Sequence, residues 1–170
     1  LHEAYGARMR PSEVLLPWIE SGRVGRKSGK GFFNWSSPKK PTLARDITRL
    51  QTSQSLAELS NEEIINRCVL SLVNEAARCL EEGVVAGPVE LDLATVFGMG
   101  FAPFRGGLLH YADSVGVGTV RERLDALAAE PDISARDGGR TKFQSADLIV
   151  RLAAEKGRFL DPSAASADAD

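Results

Sequence analysis

The stretch that decides the fold spans residues 61–113 and reads NEEIINRCVLSLVNEAARCLEEGVVAGPVELDLATVFGMGFAPFRGGLLHYAD. Ser60 and Glu63 have the spacing of a capping box, so a long helix is expected to begin there and to end near Gly83. Pro88 suits the first turn of a second helix, which glycines would end near residue 100, before a third helix begins. The stretch predicts a compact helical unit, and the chain as a whole is expected to be all-α.

Apolar residues recur at helical spacing along the first two of these helices. On the first helix the apolar stripe consists of Ile65, Cys68, Val69, Leu72, Val73, Ala76 and Leu80. On the second helix it consists of Val89, Leu93, Val96 and Phe97. Both stripes are expected to face the core. Glu90 and Asp92 are expected in the first turn of the second helix, where the helix dipole favours anions.

The rest of the chain predicts further helices at about residues 1–21 and 119–130 and a last helix after Ser145. Serine, proline and lysine dominate the segment that follows residue 35, and the acidic, alanine-rich C-terminal residues have little to bury. The predicted organisation is an incomplete first unit at residues 1–35, a linker at 36–59, a complete second unit at 60–160 and a disordered tail at 161–170.

Composition sets wide bounds on function. The 170 residues are 43% hydrophobic and 26% charged, with a formal net charge of −2, which gives no general attraction to nucleic acid. No apolar run approaches the roughly 18–20 residues that span a bilayer, and no secretory signal pattern is present. Because the sequence begins at Leu1 within a helical pattern, the chain is expected to be a piece of a longer polypeptide.

The two cysteines, Cys68 and Cys79, lie too far apart along one helix to form a disulfide. Two lone cysteines without a neighbouring histidine do not indicate a metal site, so no metal ligand is expected. We interpret them as small buried side chains of a reduced, cytoplasmic protein.

A second informative stretch, GRVGRKSGKGFFNW, spans residues 22–35 and combines glycines, cations and aromatic residues. Seven basic residues and no acid lie between Ser21 and Arg45: Arg23, Arg26, Lys27, Lys30, Lys39, Lys40 and Arg45. Such a loop suits the phosphates of a dinucleotide or of coenzyme A, which accept charge-assisted hydrogen bonds from lysine and backbone N–H groups. The alternative is a solvated surface loop. The glycine spacing excludes a Walker loop.

Two segments carry a resemblance to a known family: GRKSGKGFFNW at residues 25–35 and VNEAARCLEEGVVAGPVELDLATVFGMGFAPFRGG at residues 73–107. They resemble the C-terminal domain of 3-hydroxyacyl-CoA dehydrogenases, most closely that of the multifunctional fatty-acid-oxidation α-subunit, which also carries an enoyl-CoA hydratase domain. The first segment resembles the end of the family's first helical repeat and the second resembles the core of its second repeat. The resemblance implies a β-oxidation oxidoreductase that converts a 3-hydroxyacyl-CoA to a 3-oxoacyl-CoA, with NAD+ as the hydride acceptor.

The resemblance assigns roles to two residues of this chain. Lys27 corresponds to the family's lysine that reaches the bound NAD, and Phe97 stands where bacterial relatives often have a substrate-binding tyrosine. Because Phe97 lacks the hydroxyl, only an apolar contact with the substrate is carried over; the alternative is that Phe97 is a core residue at a helix end. No catalytic residue is assigned, because the family's catalytic His–Glu pair and its nucleotide-binding domain precede this region.

His2 and His110 are the two histidines of the chain, and neither lies in the family's catalytic context. The sequence also lacks a strand–GxGxxG–helix unit, so the chain alone is expected to be inactive. Asn66 lies where the family's first repeat supplies a substrate-polarising asparagine, but in the second repeat we expect a capping or surface role. Glu75 is expected to pair with a nearby arginine, and His110 to be a packed or surface side chain.

The resemblance implies an acyl-CoA substrate, packing against upstream domains and assembly with a thiolase subunit; it is also compatible with a homodimer. A different interpretation is a stand-alone helical interaction module that does no chemistry. Upstream nucleotide-binding and hydratase domains in the open reading frame would support the enzyme, and their absence would support the module. Nucleic-acid binding through residues 23–45 is disfavoured, because this basic run has no aromatic stacking platform and the chain is slightly acidic.

Overall fold

The computed structural model describes residues 1–11, 15–37, 40–47, 59–131 and 139–161. The chain divides into two units, Leu1–Leu59 and Ser60–Asp170. Helices account for most of the described secondary structure, which confirms the all-α expectation. The predicted disordered tail lies outside the described residues, apart from its first residue.

The first unit contains short elements. They are α1 (His2–Tyr5), a 3-10 turn (Gly6–Met9), α2 (Leu16–Glu20), a second 3-10 turn (Arg26–Ser28), β1 (Phe33–Asn34) and β2 (Thr42–Leu43). The helical structure predicted for residues 1–21 is therefore confined to two short helices and a 3-10 turn among the described residues. Gly6 has φ +57°, and Arg10 is extended with ψ 127° because the proline that follows disfavours the helical region at the preceding residue. Pro11-Ser12-Glu13 also resembles a helix start in the sequence, but residues 12–14 lie outside the described residues.

The two strands form an antiparallel pair in which Phe33 lies opposite Leu43. The Ala44 N–H extends the contact by donating to the Phe32 carbonyl at 2.9 Å, and Ala44 is buried. Residues 36–59 are predicted to be a linker, yet the strand Thr42–Leu43 lies within that range and pairs back onto β1. Strands of two residues are too short to produce an alternating pattern that sequence analysis can detect.

The second unit is a bundle of helices. They are α3 (Asn61–Glu81), α4 (Pro88–Met99), a 3-10 turn (Pro103–Arg105), α5 (Leu108–Val115), α6 (Val117–Ala129), α7 (Gly139–Phe143) and α8 (Asp147–Glu155). The predicted capping box is present, because the Ser60 hydroxyl accepts from the Glu63 N–H and the Glu63 carboxylate accepts from the Ser60 N–H. Pro88 begins α4, and Gly100 ends it in the left-handed conformation, as predicted.

The core of this unit lies among α3, α5, α6 and α8. Its side chains are supplied mostly by leucine, valine and alanine, and include Leu70, Val73, Ala77, Leu108, Leu109, Ala112, Val117, Val120, Leu124, Leu127, Ile149 and Phe159. Burial of such aliphatic side chains contributes about 1.5–3 kcal/mol each, so this cluster supplies the main stabilisation of the unit.

The apolar stripe predicted to be buried on α4 is instead exposed at Val89, Leu93 and Phe97, while Val96 is half-buried. The buried face of α4 carries Leu91, Asp92 and Thr95. Helix α4 is apolar on more than one side, so periodicity alone does not fix which side faces the core. The side of α4 that faces the core is determined by Asp92, whose carboxylate binds the N-terminus of α5.

The predicted stripe of α3 is only partly correct. Val73 and Ala76 are buried, but Ile65 and Cys68 are exposed, and Cys79 is half-buried. The interpretation of both cysteines as buried side chains is therefore wrong. Leu70 is the first buried residue of α3, so the first two turns of this helix lie outside the core.

Candidate functional site

The loop between Gly25 and Gly31 is held by its own hydrogen bonds. The Gly25 N–H donates to the Lys30 carbonyl at 2.8 Å, and the Ser28 hydroxyl donates to the same carbonyl at 2.8 Å. Gly25 has φ +90°, and a Cβ placed on Gly31 would lie 2.7 Å from the Gly25 Cα, so neither position accepts a larger residue without movement. The loop is a preformed platform for the side chains at its tip.

The cations of this stretch have different surroundings. Arg23 forms an ion pair with Asp46 at 2.5 Å and lies over the Trp18 ring at 4.3 Å, and Arg26 lies over the Trp35 ring at 5.7 Å. Lys27 is exposed in the 3-10 turn at the tip of the loop. Lys30, Lys40 and Arg45 are also exposed, whereas Lys39 lies outside the described residues. The side chain of Lys27 is thus accessible to an anionic ligand.

The second candidate region is an apolar surface on α4 and the turn that follows it, which we call the Phe97 surface. It consists of Val89, Leu93, Phe97, Met99 and Phe104. Phe97 is 84% exposed and Phe104 is 85% exposed, so the alternative interpretation of Phe97 as a core residue is wrong. Large exposed apolar patches on a folded unit mark interaction or ligand sites.

A pocket of about 300 Å³ lies beside the Phe97 surface, with Asp92, Pro103, Gly106 and Leu160 among its lining residues. Two carboxylates shape this pocket, and one of them, Asp92, lies beyond the first turn of α4 in which it was expected. Asp92 fixes α5 against α4, and Asp113 accepts hydrogen bonds from the N–H groups of Phe159 (2.9 Å) and Leu160 (3.0 Å). The acidic residue at an otherwise apolar, core-facing position of α4 is the signal that could have revealed Asp92.

A buried asparagine that sequence analysis does not single out connects α3 to the segment before α8. The Asn74 amide donates to the carbonyls of Lys142 and Gln144, each at 2.8 Å, and its oxygen accepts from the Ala146 N–H at 2.8 Å. These three bonds satisfy most of the polar capacity of a fully buried side chain. Asn74 is therefore structural, because its three bonds hold the segment before α8 against α3.

The other polar candidates of the second unit are Asn66, Glu75 and His110. Asn66 accepts a long hydrogen bond from Arg123 at 3.4 Å, and Glu75 lies 3.9 Å from Arg78, as expected for a structural pair. His110 is exposed. The pKa of Glu63 is lowered, chiefly by its hydrogen bonds with the side chain and backbone of Ser60 and also by Arg67.

No group of three or more His, Cys, Asp or Glu side chains in the described ranges is arranged to hold a metal ion. Within the same ranges, no helix is both long and apolar enough to cross a membrane.

Comparison with known proteins identifies the family. Residues 64–160 match the family described as 3-hydroxyacyl-CoA dehydrogenase, C-terminal domain. The fatty acid oxidation complex subunit alpha of Vibrio vulnificus (strain CMCP6) is 35% identical over 156 residues, which are 92% of this chain and 21% of that protein. The protein of the same name from Shewanella sp. (strain ANA-3) is 30% identical over 164 residues, which are 94% of this chain and 22% of that protein.

The chain thus spans about a fifth of the length of these relatives, and the match extends across both of its units. The segment matched by the family includes α4, the Phe97 surface and the pocket beside it. On these grounds, the chain belongs to the 3-hydroxyacyl-CoA dehydrogenase C-terminal domain family.

Proposed function

We propose that this chain forms part of an NAD-dependent enzyme of fatty acid β-oxidation that converts a 3-hydroxyacyl-CoA to a 3-oxoacyl-CoA. In this proposal the chain supplies part of the wall of the substrate cleft and surfaces for assembly. The observation that carries it is the family match over residues 64–160, because that segment includes the exposed Phe97 surface.

The Phe97 surface supports the substrate role. An exposed phenylalanine beside an apolar pocket of about 300 Å³ can bury the acyl part of a thioester substrate. The side chain has no hydroxyl, so the contact is apolar and its strength depends on the area that it removes from water.

Lys27 is proposed to contact the phosphates of NAD. Its support is an exposed ammonium group on a loop whose backbone is fixed by internal hydrogen bonds, because only the side chain then loses conformational freedom when it binds a phosphate. In the full-length protein, Lys27→Ala should raise the Michaelis constant for NAD+. Lys40→Ala, which removes an exposed lysine outside the loop, is the matched control; unchanged NAD+ kinetics in Lys27→Ala would remove the assignment.

The described residues do not fit a complete NAD site. Their strands are the antiparallel pair β1 and β2, and they contain no strand–glycine loop–helix unit that could cradle a diphosphate. NAD supplies the hydride acceptor when it is bound, and this chain is proposed to contribute one cation to that site. The chain alone is accordingly proposed to be inactive.

We also propose that the first unit is the end of a first helical repeat of the same kind as the second unit. In the second unit, Phe159 follows Gly157 after helix α8 and is buried in the core. In the first unit, Phe32 follows Gly31 after helix α2 and packs against Trp18 with ring centroids 4.9 Å apart. Both units thus have a helix, a glycine and a phenylalanine in the same order.

The proposed partners are the upstream domains of the same protein and a thiolase subunit, and a homodimer is a further proposal. The relatives' name, which describes a subunit of a complex, supports assembly with another subunit. The cytoplasmic location expected from the sequence stays a prediction.

A non-catalytic interaction module is the second candidate function, and the extent of the Phe97 surface is the observation that favours it.

The deciding experiment compares the 170-residue chain with the protein of its full open reading frame. Each is mixed with NAD+ and 3-hydroxybutyryl-CoA, and NADH is measured by its absorbance. The full-length protein should form NADH and the chain should not, and calorimetry should detect no NAD+ binding to the chain. NADH formation by the chain alone would contradict the proposed inactivity, and none with the full-length protein would favour the interaction module.

A further inference from the structure

A pocket of about 410 Å³ opens on the unit Leu1–Leu59, beside the loop Gly25–Gly31. Its lining side chains are mainly apolar, and they are Leu15, Trp18, Ile19, Val24, Phe32 and Arg23. We propose that this pocket binds the chain of a fatty carboxylate, whose charged group is held by the cations of the adjoining loop. The proposal concerns a different unit from the Phe97 surface and does not depend on the dehydrogenase function.

The walls of the pocket provide apolar area that a hydrocarbon chain could cover. Ile19 and Val24 are both more than half exposed, and Phe32 is exposed although it packs against Trp18. Each of these side chains would lose contact with water when the pocket is filled, which is the main source of free energy for binding an alkyl chain.

The position of the cations argues for an anionic head group. Gly25 and Gly31 line the pocket, and they are also the two ends of the loop. Arg26 directly follows Gly25 and Lys30 directly precedes Gly31, and consecutive Cα atoms are about 3.8 Å apart. The backbones of these two residues therefore lie at the wall of the pocket. Their exposed charged groups are within side-chain reach of its mouth.

Arg23 adds an unsatisfied donor to the same wall. Its Nη1 atom is paired with Asp46 and its Nη2 atom donates to the Gly31 carbonyl at 3.4 Å. Its Nε atom is buried, and no described residue accepts a hydrogen bond from it. Because this atom is enclosed, Arg23 contributes to the pocket as part of its wall, and Arg26 and Lys30 supply the exposed charges for a carboxylate.

These features together select the ligand class. Apolar walls alone would accept an alcohol or a cationic detergent of the same chain length as well as a fatty acid. The exposed charges of Arg26 and Lys30 repel a cation and can add charge-assisted hydrogen bonds for a carboxylate. The expected ligand is therefore a single alkyl chain that ends in a carboxylate group.

The test uses the fluorescence of Trp18, which lines the pocket. The chain has two tryptophans, so Trp35→Phe leaves Trp18 as the emitting residue. This protein is titrated below the micelle concentration with decanoate, decanol and decyltrimethylammonium. Decanoate should shift the Trp18 emission to shorter wavelength in a saturable manner, with a dissociation constant about tenfold lower than that of decanol.

Two substitutions and one control locate the site. Ile19→Asp puts a charge into the wall and should abolish decanoate binding, while Lys30→Glu should weaken decanoate about tenfold and leave decanol unchanged. Lys40→Ala should change neither. Far-ultraviolet circular dichroism establishes that each variant is folded, which is expected because all three side chains are exposed.

Three results would overturn the proposal. Equal affinities for decanoate and decanol would show an apolar groove without recognition of the charged group. Full binding to Ile19→Asp would place the ligand elsewhere. A lack of any saturable change with decanoate would show that the pocket does not take a fatty carboxylate.

Discussion

The carboxylate of Asp92 in α4 accepts a hydrogen bond from the backbone N–H of Leu109 in α5 at 2.6 Å. The second carboxylate oxygen accepts from the next N–H, that of His110, at 3.0 Å. The first turn of a helix has N–H groups with no partner in the helix and a positive dipole end, and a buried carboxylate satisfies both. This contact orients α4 and so determines that Phe97 faces outward.

We expect Asp92→Ala to lower the free energy of unfolding by about 2 kcal/mol or more, because it leaves buried N–H groups without an acceptor. Urea denaturation followed by circular dichroism measures the change. Glu122→Ala, which removes an exposed acid from α6, should change stability by less than about 0.5 kcal/mol. Equal effects of the two substitutions would contradict the structural role of Asp92.

Two glycines of the same region should respond to alanine in opposite directions. Gly107 has φ +120°, and a Cβ there would lie 2.3 Å from the Asp92 Cγ, so Gly107→Ala should destabilise the chain by more than about 1 kcal/mol. Gly98 lies within α4 with nothing within 4 Å of its Cβ position, so Gly98→Ala should stabilise by about 0.5–1 kcal/mol. Thermal denaturation of both variants checks the prediction, and a stable Gly107→Ala protein would refute the close approach.

The capping box at the start of α3 predicts a pH dependence. Because the folded pKa of Glu63 is lowered from 4.5, its contribution to stability is fully present above that value and is lost as the pH falls through the lower, folded pKa. The Tm of the wild type should therefore fall more steeply than that of Glu63→Gln as the pH decreases below 4.5. Glu62→Gln, an exposed neighbour with the same charge change, should keep the wild-type slope.

Because Phe97 is exposed, its substitution is expected to affect substrate binding and to leave the stability of the fold nearly unchanged. Phe97→Ser should change the free energy of unfolding by no more than about 0.5 kcal/mol, because the side chain has little contact to lose. Leu109→Ala, at a fully buried position, should cost about 2–5 kcal/mol. In the full-length protein, Phe97→Ser should also raise the Michaelis constant for 3-hydroxyacyl-CoA. A large loss of stability in Phe97→Ser would show that the residue is a packing residue.

Local signals predicted the helix ends well. The capping box at Ser60, the proline at the start of α4 and the left-handed glycine at its end depend on interactions within a few residues, and the structure confirms all three. The faces of the helices were predicted less well. On α4 the apolar residues allow two orientations, and the sequence pattern favoured the one that the structure exposes.

For the candidate sites too, the sequence predicted local features but not the contacts between distant residues. The glycines and cations of residues 22–35 indicated a basic loop, and the structure adds that internal hydrogen bonds hold it. The sequence did not reveal that Arg23 pairs with Asp46 or that the loop adjoins an apolar pocket, because these contacts join residues that are distant along the chain. Asn74 was missed for the same reason, since its three partners lie about seventy residues away.

The sequence by itself determined the helical class, the start of α3, both ends of α4 and the family, because caps, prolines, glycines and short motifs act locally. Only the tertiary structure decided which side of each helix is buried and which apolar residues are left for ligands or partners. That choice depends on long-range contacts of buried polar groups such as Asp92 and Asn74, whose need for hydrogen-bond partners selects one packing among those that the apolar pattern allows.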